Sequence, residues 1–455
     1  MIDRADRQRI GRVAAVALAA CVLLSGCHTT MRTPREPIIN GEYGEARMGV
    51  YRNMTDKLGS RRYLLDRMRA AVLTMADGYP AASQVLFEEL YDRLRTQGIN
   101  KDRTVASVFT YEGVRIWKGE PFEQALAMAY YGMQQASLGH WDNARAAASN
   151  SLFRLRDFSE EGEPAEDIDT HEIARRSLIY ERAIERGQSE EEAKEKANYL
   201  ENGYVATKSN FTLGYLLSAI ANQQLGREEE ASDNFHRVVE IRPELESLVE
   251  RFRADDYNTV LIVGWGLGPE KVGYGPDSVI GRFKPRMASD EAKLTVQAGD
   301  DKTRAHVQVL DLNHMAADHR WRNLEDIRRA KSLIGSGFVY GGLLATKYGL
   351  RKDNRDAVYA GLGAMALGAV LKSSAHVDTR YCDVLAQRYY AVPLNIESPE
   401  TVVRLQVDNK PASRLHLTGL DPPAGDEAQL RYVRLVCRPA QDASPPGWAT
   451  SGDGG

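Results

Sequence analysis

The chain has 455 residues, 59 basic against 63 acidic side chains, a net charge of −4 and 43% hydrophobic content. No cationic excess is left to neutralise phosphates, so charge argues against nucleic acid as a partner. The length and apolar content suffice for two domains with cores of their own.

Arg4, Arg7, Arg9 and Arg12 open the chain against only Asp3 and Asp6, and an apolar stretch from Val13 to Leu24 follows directly. A basic stretch ahead of an apolar one is the layout of a secretory signal, and this one is well short of the roughly 20 residues a helix needs to span hydrocarbon. It closes on Leu24, Ser25, Gly26 and Cys27, which resembles the lipobox of bacterial lipoproteins. The resemblance implies cleavage before Cys27, diacylglycerol on its thiol and acylation of the freed amine, an effectively permanent anchor at about 0.8 kcal/mol per buried methylene. The plainer reading of the same residues is an ordinary signal with an incidental cysteine, or an uncleaved anchor. His28 stands where an Asp would resemble an inner-membrane retention signal, which favours the outer membrane. Loss of residues 1–26 removes four Arg and two Asp and shifts the net charge from −4 to −6. Cys21 leaves with the signal, so Cys382 and Cys437 are the pair left for a disulfide in an oxidising compartment.

Residues 27–45 combine prolines and polar side chains without an apolar period and read as a tether. Helical periodicity then dominates 46–255. Within it, Gly226, Ala231, Phe235 and Pro243 stand at the offsets of the small, small, aromatic and terminating-proline positions of a tetratricopeptide repeat. Gly132, Gly139, Trp141, Ala144 and Ser151 occupy corresponding positions in an earlier window, and Asp77, Tyr79, Ala82 and Leu86 form a fainter copy. Small residues such as Ala144 and Ala231 let paired helices cross closely, and Gly139 and Gly226 suit the turn between them. The region from about Ser159 to Lys208 is an insertion, in which Ser189 and Glu192 have capping-box spacing ahead of a solvated helix.

The texture changes near Asp255. Runs such as NTVLIVGWGLGP, AKLTVQAG, RAHVQVLDL, RYYAVPLNI, TVVRLQVDN, SRLHLTGL and LRYVRLVCR have strand character, placing a strand-rich region at 256–439. Helical periodicity returns as an insertion at about 312–371, and the Ser-, Pro- and Gly-rich tail 440–455 reads as disordered. The expected fold class is therefore α+β: an N-terminal α-helical, tetratricopeptide-like solenoid, then a strand-rich C-terminal domain with an inserted Gly/Ala-rich helical hairpin.

Gly264, Gly266 and Gly268 follow an apolar strand, but the third glycine comes too soon for a dinucleotide fingerprint and Pro269 follows at once, so a turn or bulge is expected. His314 and Asp318 lie four apart on one helix face, a metal-compatible spacing for which no third ligand or general base is nominated; a solvated helix face is the plainer reading. No nucleophile elbow or HExxH helix is present, and no cofactor is implied. In SLIGSGFVYGGLLATKYGL and AVYAGLGAMALGAVL, small residues recur four apart, as at Ala360, Ala364 and Gly368, a spacing that lets helices pack closely. Both segments are short for a span and Lys347 sits in the first, so a buried helical hairpin is expected, with membrane insertion or self-association through Gly361 and Gly368 as the alternatives.

YRNMTDKL (Tyr51 to Leu58), YEGVRIWKGEPFEQALAMAYYGM (Tyr111 to Met133) and HVDTRYCDVL (His376 to Leu385) resemble segments of a family of bacterial envelope lipoproteins that combine tetratricopeptide-like helices with a strand-containing C-terminal region. The family's Gly-Glu-Pro-Phe-Glu run matches Gly119 to Glu123, where Pro121 suits a first helical turn, and its Asp-x-Arg matches Asp378 and Arg380. The resemblance implies an envelope lipoprotein and supplies no catalytic residues. The expected function is a non-catalytic scaffold on the periplasmic side of the outer membrane, held by the diacylglyceryl group on Cys27. Its repeats would take an envelope protein or extended peptide, with Tyr111, Glu112, Trp117, Tyr130, Tyr131 and Trp141 as candidate contacts. The alternatives are a metal-dependent envelope hydrolase using His314 and Asp318, and a membrane-associated oligomer built through the Gly-rich hairpin.

Overall fold

The computed structural model describes residues 33–95, 116–153, 155, 187, 189, 192, 211–274, 278, 280–286, 293–299, 303–318, 325–352, 354–374, 377–407, 414–417 and 427–436. The chain is of mixed helix and sheet, as α+β requires. Nine helices precede the first strand among these residues: α1 (Arg35–Ile39), α2 (Tyr43–Asn53), α3 (Tyr63–Ala76), α4 (Pro80–Arg95), α5 (Pro121–Ser137), α6 (Trp141–Phe153), α7 (Thr212–Gln224), α8 (Glu228–Ile241) and α9 (Glu246–Arg253). Each packs on the next from α1 through α9.

Several positions of the two main windows lie at helix joints and crossings. Gly139 and Gly226 adopt φ of +81° and +67° at the turns that join α5 to α6 and α7 to α8, a conformation that costs glycine little. At the crossing of α5 and α6, a Cβ on Gly132 would stand 3.2 Å from the Ala144 carbonyl oxygen. Ala231 and Phe235 are buried, Phe235 stacks on Phe252 of α9 at 6.4 Å between centroids, and Pro243 opens the 3₁₀ turn that ends α8.

Ten strands follow: β1 (Thr259–Trp265), β2 (Glu270–Tyr274), β3 (Ile280–Lys284), β4 (Leu294–Ala298), β5 (Arg304–His306), β6 (Leu310–Asp311), β7 (Arg388–Leu394), β8 (Val403–Val407), β9 (Arg414–Leu417) and β10 (Gln429–Leu435). They form a sheet in the order β10-β1-β7-β6, a second in the order β5-β4-β8-β9, and the hairpin β2-β3. β1 runs parallel to β10 and antiparallel to β7. Every residue of β1 and β7 is buried, because both faces of that sheet are covered. Val260, Ile262, Tyr389, Ala391, Leu430 and Tyr432 point into the core shared with the helices. The alternate residues Leu261, Val263, Trp265, Tyr390, Val392 and Val433 pack on Leu294, Val296, Val403, Leu405 and Val407 of the second sheet. Three layers result: helices, first sheet, second sheet. The change of texture at Asp255 is thus the passage from helix to strand, where Asp255 itself has φ of 54°, and the core runs across it.

Two expectations are corrected. Residues from Thr33 onward are not tether: Ile38 and Tyr43 are buried in the main core, and the Tyr43 hydroxyl donates to the Arg434 carbonyl at 3.0 Å. Nor is the Gly-rich insertion buried. After the short α10 (Leu312–Asp318), α11 (Glu325–Lys352) and α12 (Arg355–Ser374) pack on each other, and neither makes more than marginal contact with any other element among the described residues.

Candidate functional site

Two of the three segments that carry the family resemblance, through Trp117 to Glu123 and Asp378 to Asp383, meet in one polar junction where the loop between α12 and β7 crosses the helices. Glu120 caps α5 with Pro121 in the first turn, and Glu123 completes a capping box by accepting the Glu120 backbone N–H at 2.9 Å. The other carboxylate oxygen of Glu123 accepts the Cys382 N–H at 2.7 Å. One side chain thus starts a helix and fastens a loop 259 positions away. Beside it the Glu120 carboxylate pairs with Lys271 of β2, and the Trp117 indole N–H donates to the Arg380 carbonyl at 3.2 Å. Arg380 lays its guanidinium on Asp378 at 2.9 and 3.0 Å from Nε and reaches back to the Arg61 carbonyl.

The opposite side of the loop holds the start of the described chain. Asp383 accepts the Thr33 N–H at 2.8 Å and the Thr33 hydroxyl at 2.9 Å, and its first oxygen also takes Arg69 Nε of α3 at 2.7 Å. Arg286 donates to the Asp383 carbonyl at 2.7 Å. Thr33, Arg69 and Asp383 are all buried.

Burial pushes the Glu123 carboxyl up to about 7, against the pull of the two backbone N–H donors and Lys271. Burial alone would raise Asp378 as well, but the hydrogen-bonded Arg380 guanidinium overrides it and holds that carboxyl below its usual range. The Cys382 thiol is driven far upward, first by burial and then by the nearby Glu123 and Asp383 carboxylates. A thiol held protonated in this way is a poor nucleophile. These groups answer one another's charge and hydrogen-bonding needs, and what the arrangement does is join α3, α5, β2 and the 377–388 loop.

A second polar cluster ties helix to sheet. The Tyr130 hydroxyl of α5 stands 3.1 Å from that of Tyr389 and 2.9 Å from that of Tyr432, with both rings edge-on to its own. On the sheet side, Gly264 lies within β1, where a Cβ would come 2.6 Å from the Tyr432 hydroxyl, and Gly266 turns the chain out of the strand with φ of 74°. The glycines therefore serve strand packing and a turn.

Of the candidate partner contacts, Trp117, Tyr130 and Trp141 are buried and belong to the core, a correction to their expected exposure. They are apolar bodies with a polar tip, and here the tips of Trp117 and Tyr130 are satisfied inside the protein. Tyr131 is half-buried and packs its ring at 4.8 Å on Tyr91. Tyr111, Glu112, the lipobox Leu24 to Gly26 and Cys27 lie outside the described residues. Cys382 is a free, buried cysteine, and Cys437 lies outside the described residues. His314 is exposed on α10, the Asp318 side chain lies outside the described set, and among the described residues no group of three or more His, Cys, Asp or Glu is placed to hold a metal ion. The Ser189 and Glu192 capping pair forms in both directions, at 3.2 and 3.3 Å.

Gly361, a position offered for self-association under one of the alternatives, sits where α11 and α12 touch backbone to backbone. A Cβ on Gly342 would come 2.5 Å from the Gly361 carbonyl oxygen, and one on Gly361 would strike Thr346. Gly368 is likewise buried. The outer face of α11 is different: Tyr340, Leu343, Leu344 and Tyr348 are all exposed, Tyr340 to 69% and Leu344 to 67%. Sequence reading missed this face, although its spacing of 340, 343, 344, 347, 348 and 351 is the period of one helix side. It also missed Arg69, Asp383 and Thr33, which nothing but tertiary structure brings together.

Comparison with protein-family models, with curated proteins and with solved structures finds no match for this chain.

Proposed function

We propose that the chain is a lipid-anchored, non-catalytic scaffold of a bacterial outer membrane, held by acyl groups on Cys27 with its body in the periplasm and its paired helices acting as tetratricopeptide-like repeats. The observation that carries this reading is the position of Thr33. The clamp of Asp383 and Arg69 fixes the chain six residues after Cys27, so a lipid on that cysteine moors the body within roughly 20 Å of the bilayer at full extension. The junction supports a structural role, since Arg69, Glu123, Lys271, Arg380 and Asp383 are buried and its charged groups bond to one another and to backbone. The sheet-facing side of α3 and α5 is filled by β10 and its neighbours, so an envelope protein or peptide partner meets the outer surface of the helical array.

Growth with labelled fatty acid tests the anchor. The wild-type chain takes up label and sediments with membranes; Cys27→Ser loses both. A wild-type chain that stays unlabelled, or a serine variant processed and retained like wild type, overturns the proposal. In-cell cross-linking tests the scaffold, which requires a reproducible envelope partner in addition to lipid.

A further inference from the structure

We infer that the exposed face of the α11–α12 hairpin is a second membrane contact, one that lies in the headgroup region of an anionic bilayer without crossing it. The inference rests on the lipid-anchor proposal for its setting and on the hairpin for its chemistry.

Among the described residues α11 and α12 pack chiefly on each other, so much of their described surface faces water, and soluble proteins avoid leaving contiguous apolar patches in that state. The contact between α11 and α12 is made by Gly342, Thr346, Gly349, Val358 and Gly361. The opposite side of α11 presents Tyr340, Leu343, Leu344 and Tyr348 with Lys347 and Arg351 among them, all exposed. On α12, Arg355, Tyr359, Gly363 and Leu367 form a second exposed row at every fourth position. Apolar side chains with tyrosines and long basic side chains on one face are the composition of a helix that lies at the bilayer surface, its cations reaching the headgroups.

Charge selects the occupant. Residues 325–374 carry eight basic and four acidic side chains, a net +4 in a chain of net −4, which leaves −8 on the remainder. A basic, apolar arm on an acidic body is drawn to an anionic lipid surface. Two copies meeting face to face through these hairpins would instead bring like charges together. Length sets the depth. The uncharged runs 332–346 and 357–371 are 15 residues each, about 22 Å of helix at 1.5 Å per residue against about 30 Å of hydrocarbon. Lys347, Arg351, Lys352, Arg355 and Asp356 would have to pass through for the tip to cross, and no described helix is long and apolar enough to span.

The attachment points of the proposed lipid anchor and of the hairpin are close in the chain. α12 ends at Ser374, Val377 is hydrogen-bonded to the Ser278 carbonyl, and Asp383, nine residues past Ser374, is the group that clamps Thr33. Anchor and hairpin therefore leave the body from the two ends of one short segment.

The test uses the full mature chain carrying Cys27→Ser, so that no acyl group contributes, and vesicles of phosphatidylethanolamine with one quarter phosphatidylglycerol against vesicles of phosphatidylcholine alone. The expected result is co-sedimentation with the anionic vesicles, weakened at least tenfold by Tyr340→Ser/Leu344→Ser/Tyr348→Ser and also by Lys347→Glu/Arg351→Glu, with the melting temperature of the body unchanged in both. Equal, negligible binding to both vesicle types overturns the inference. So does a doubling of mass in solution that the triple variant abolishes, which would make a second copy the occupant. Failure of the lipid-anchor proposal reads out separately, as unlabelled wild-type protein in cells.

Discussion

The junction around Asp383 and the α11–α12 hairpin follow opposite rules. One hides charge: Thr33, Arg69, Asp383 and Glu123 are buried beside the core and answer each other. The other shows apolar surface: Tyr340, Leu344 and Tyr348 stand in water on an arm that touches little but itself. A buried ionic cluster is costly to break, because each group left behind loses its compensation. An exposed apolar arm is cheap to alter and contributes little to the stability of the body. The junction is therefore where this chain is held together, and the hairpin is where it has material to offer something else.

The comparison breaks most readily at Asp383. Asp383→Ala takes the nearest carboxylate from the buried Arg69 guanidinium, which keeps Asp66 at 3.5 Å, and removes the acceptor of the Thr33 N–H and hydroxyl; we expect a loss of about 3 kcal/mol, the lower end of the range for removing one partner of a buried pair. Urea denaturation monitored by circular dichroism checks this; a loss below about 1 kcal/mol would mean that the junction is a surface feature in solution. Glu123 is next in size and has a pH signature. Its folded carboxyl is raised from 4.5 to about 7, so between those values the folded state holds a proton that the unfolded state has lost. The contribution of this group is fully present below about pH 4.5 and is lost as pH rises through about 7, by at most about 3 kcal/mol. Glu123→Gln, uncharged throughout, keeps one acceptor for the two N–H donors. We expect it to be less stable than wild type by about 1–2 kcal/mol at pH 5 and the gap to narrow by pH 8. A gap that widens with pH would contradict the sign.

Much of the fold was legible because period and burial agree. The seven apolar runs after Asp255 all contain strands, and the turn glycines Gly139 and Gly226 lie at helix joints. β2 and β3 were missed because EKVGY and IGRFK lack the dense β-branched texture of a strand buried on both faces; β2 is mostly half-exposed. The junction was half legible. Gly119 to Glu123 and Asp378 to Arg380 stood out as motifs, yet sequence gives no sign that Glu123 reaches Cys382. The candidate contacts failed for a related reason: an aromatic with a polar tip suits an interface or a core equally, and Trp117 and Tyr130 find their partners in Arg380 and two tyrosines inside the fold. The hairpin was read as buried because Gly and Ala at every fourth position signal close packing. They do pack closely, but against each other, which leaves the large residues of the same helices outside.

The smallest expected effect is the sharpest test of that division. Leu344→Ser alters a side chain exposed to 67% on an arm with only marginal contact to the body, so it removes almost no surface burial from the folded state. Body stability should stay within about 0.5 kcal/mol of wild type, as for surface substitutions away from structural features. Equilibrium urea denaturation followed by tryptophan fluorescence is suited to the measurement, because α11 and α12 contain no tryptophan while Trp117, Trp141 and Trp265 are buried in the body. A loss of 2 kcal/mol, on the order expected for burying a leucine side chain, would place Leu344 against the body in solution and remove the contrast between the two regions.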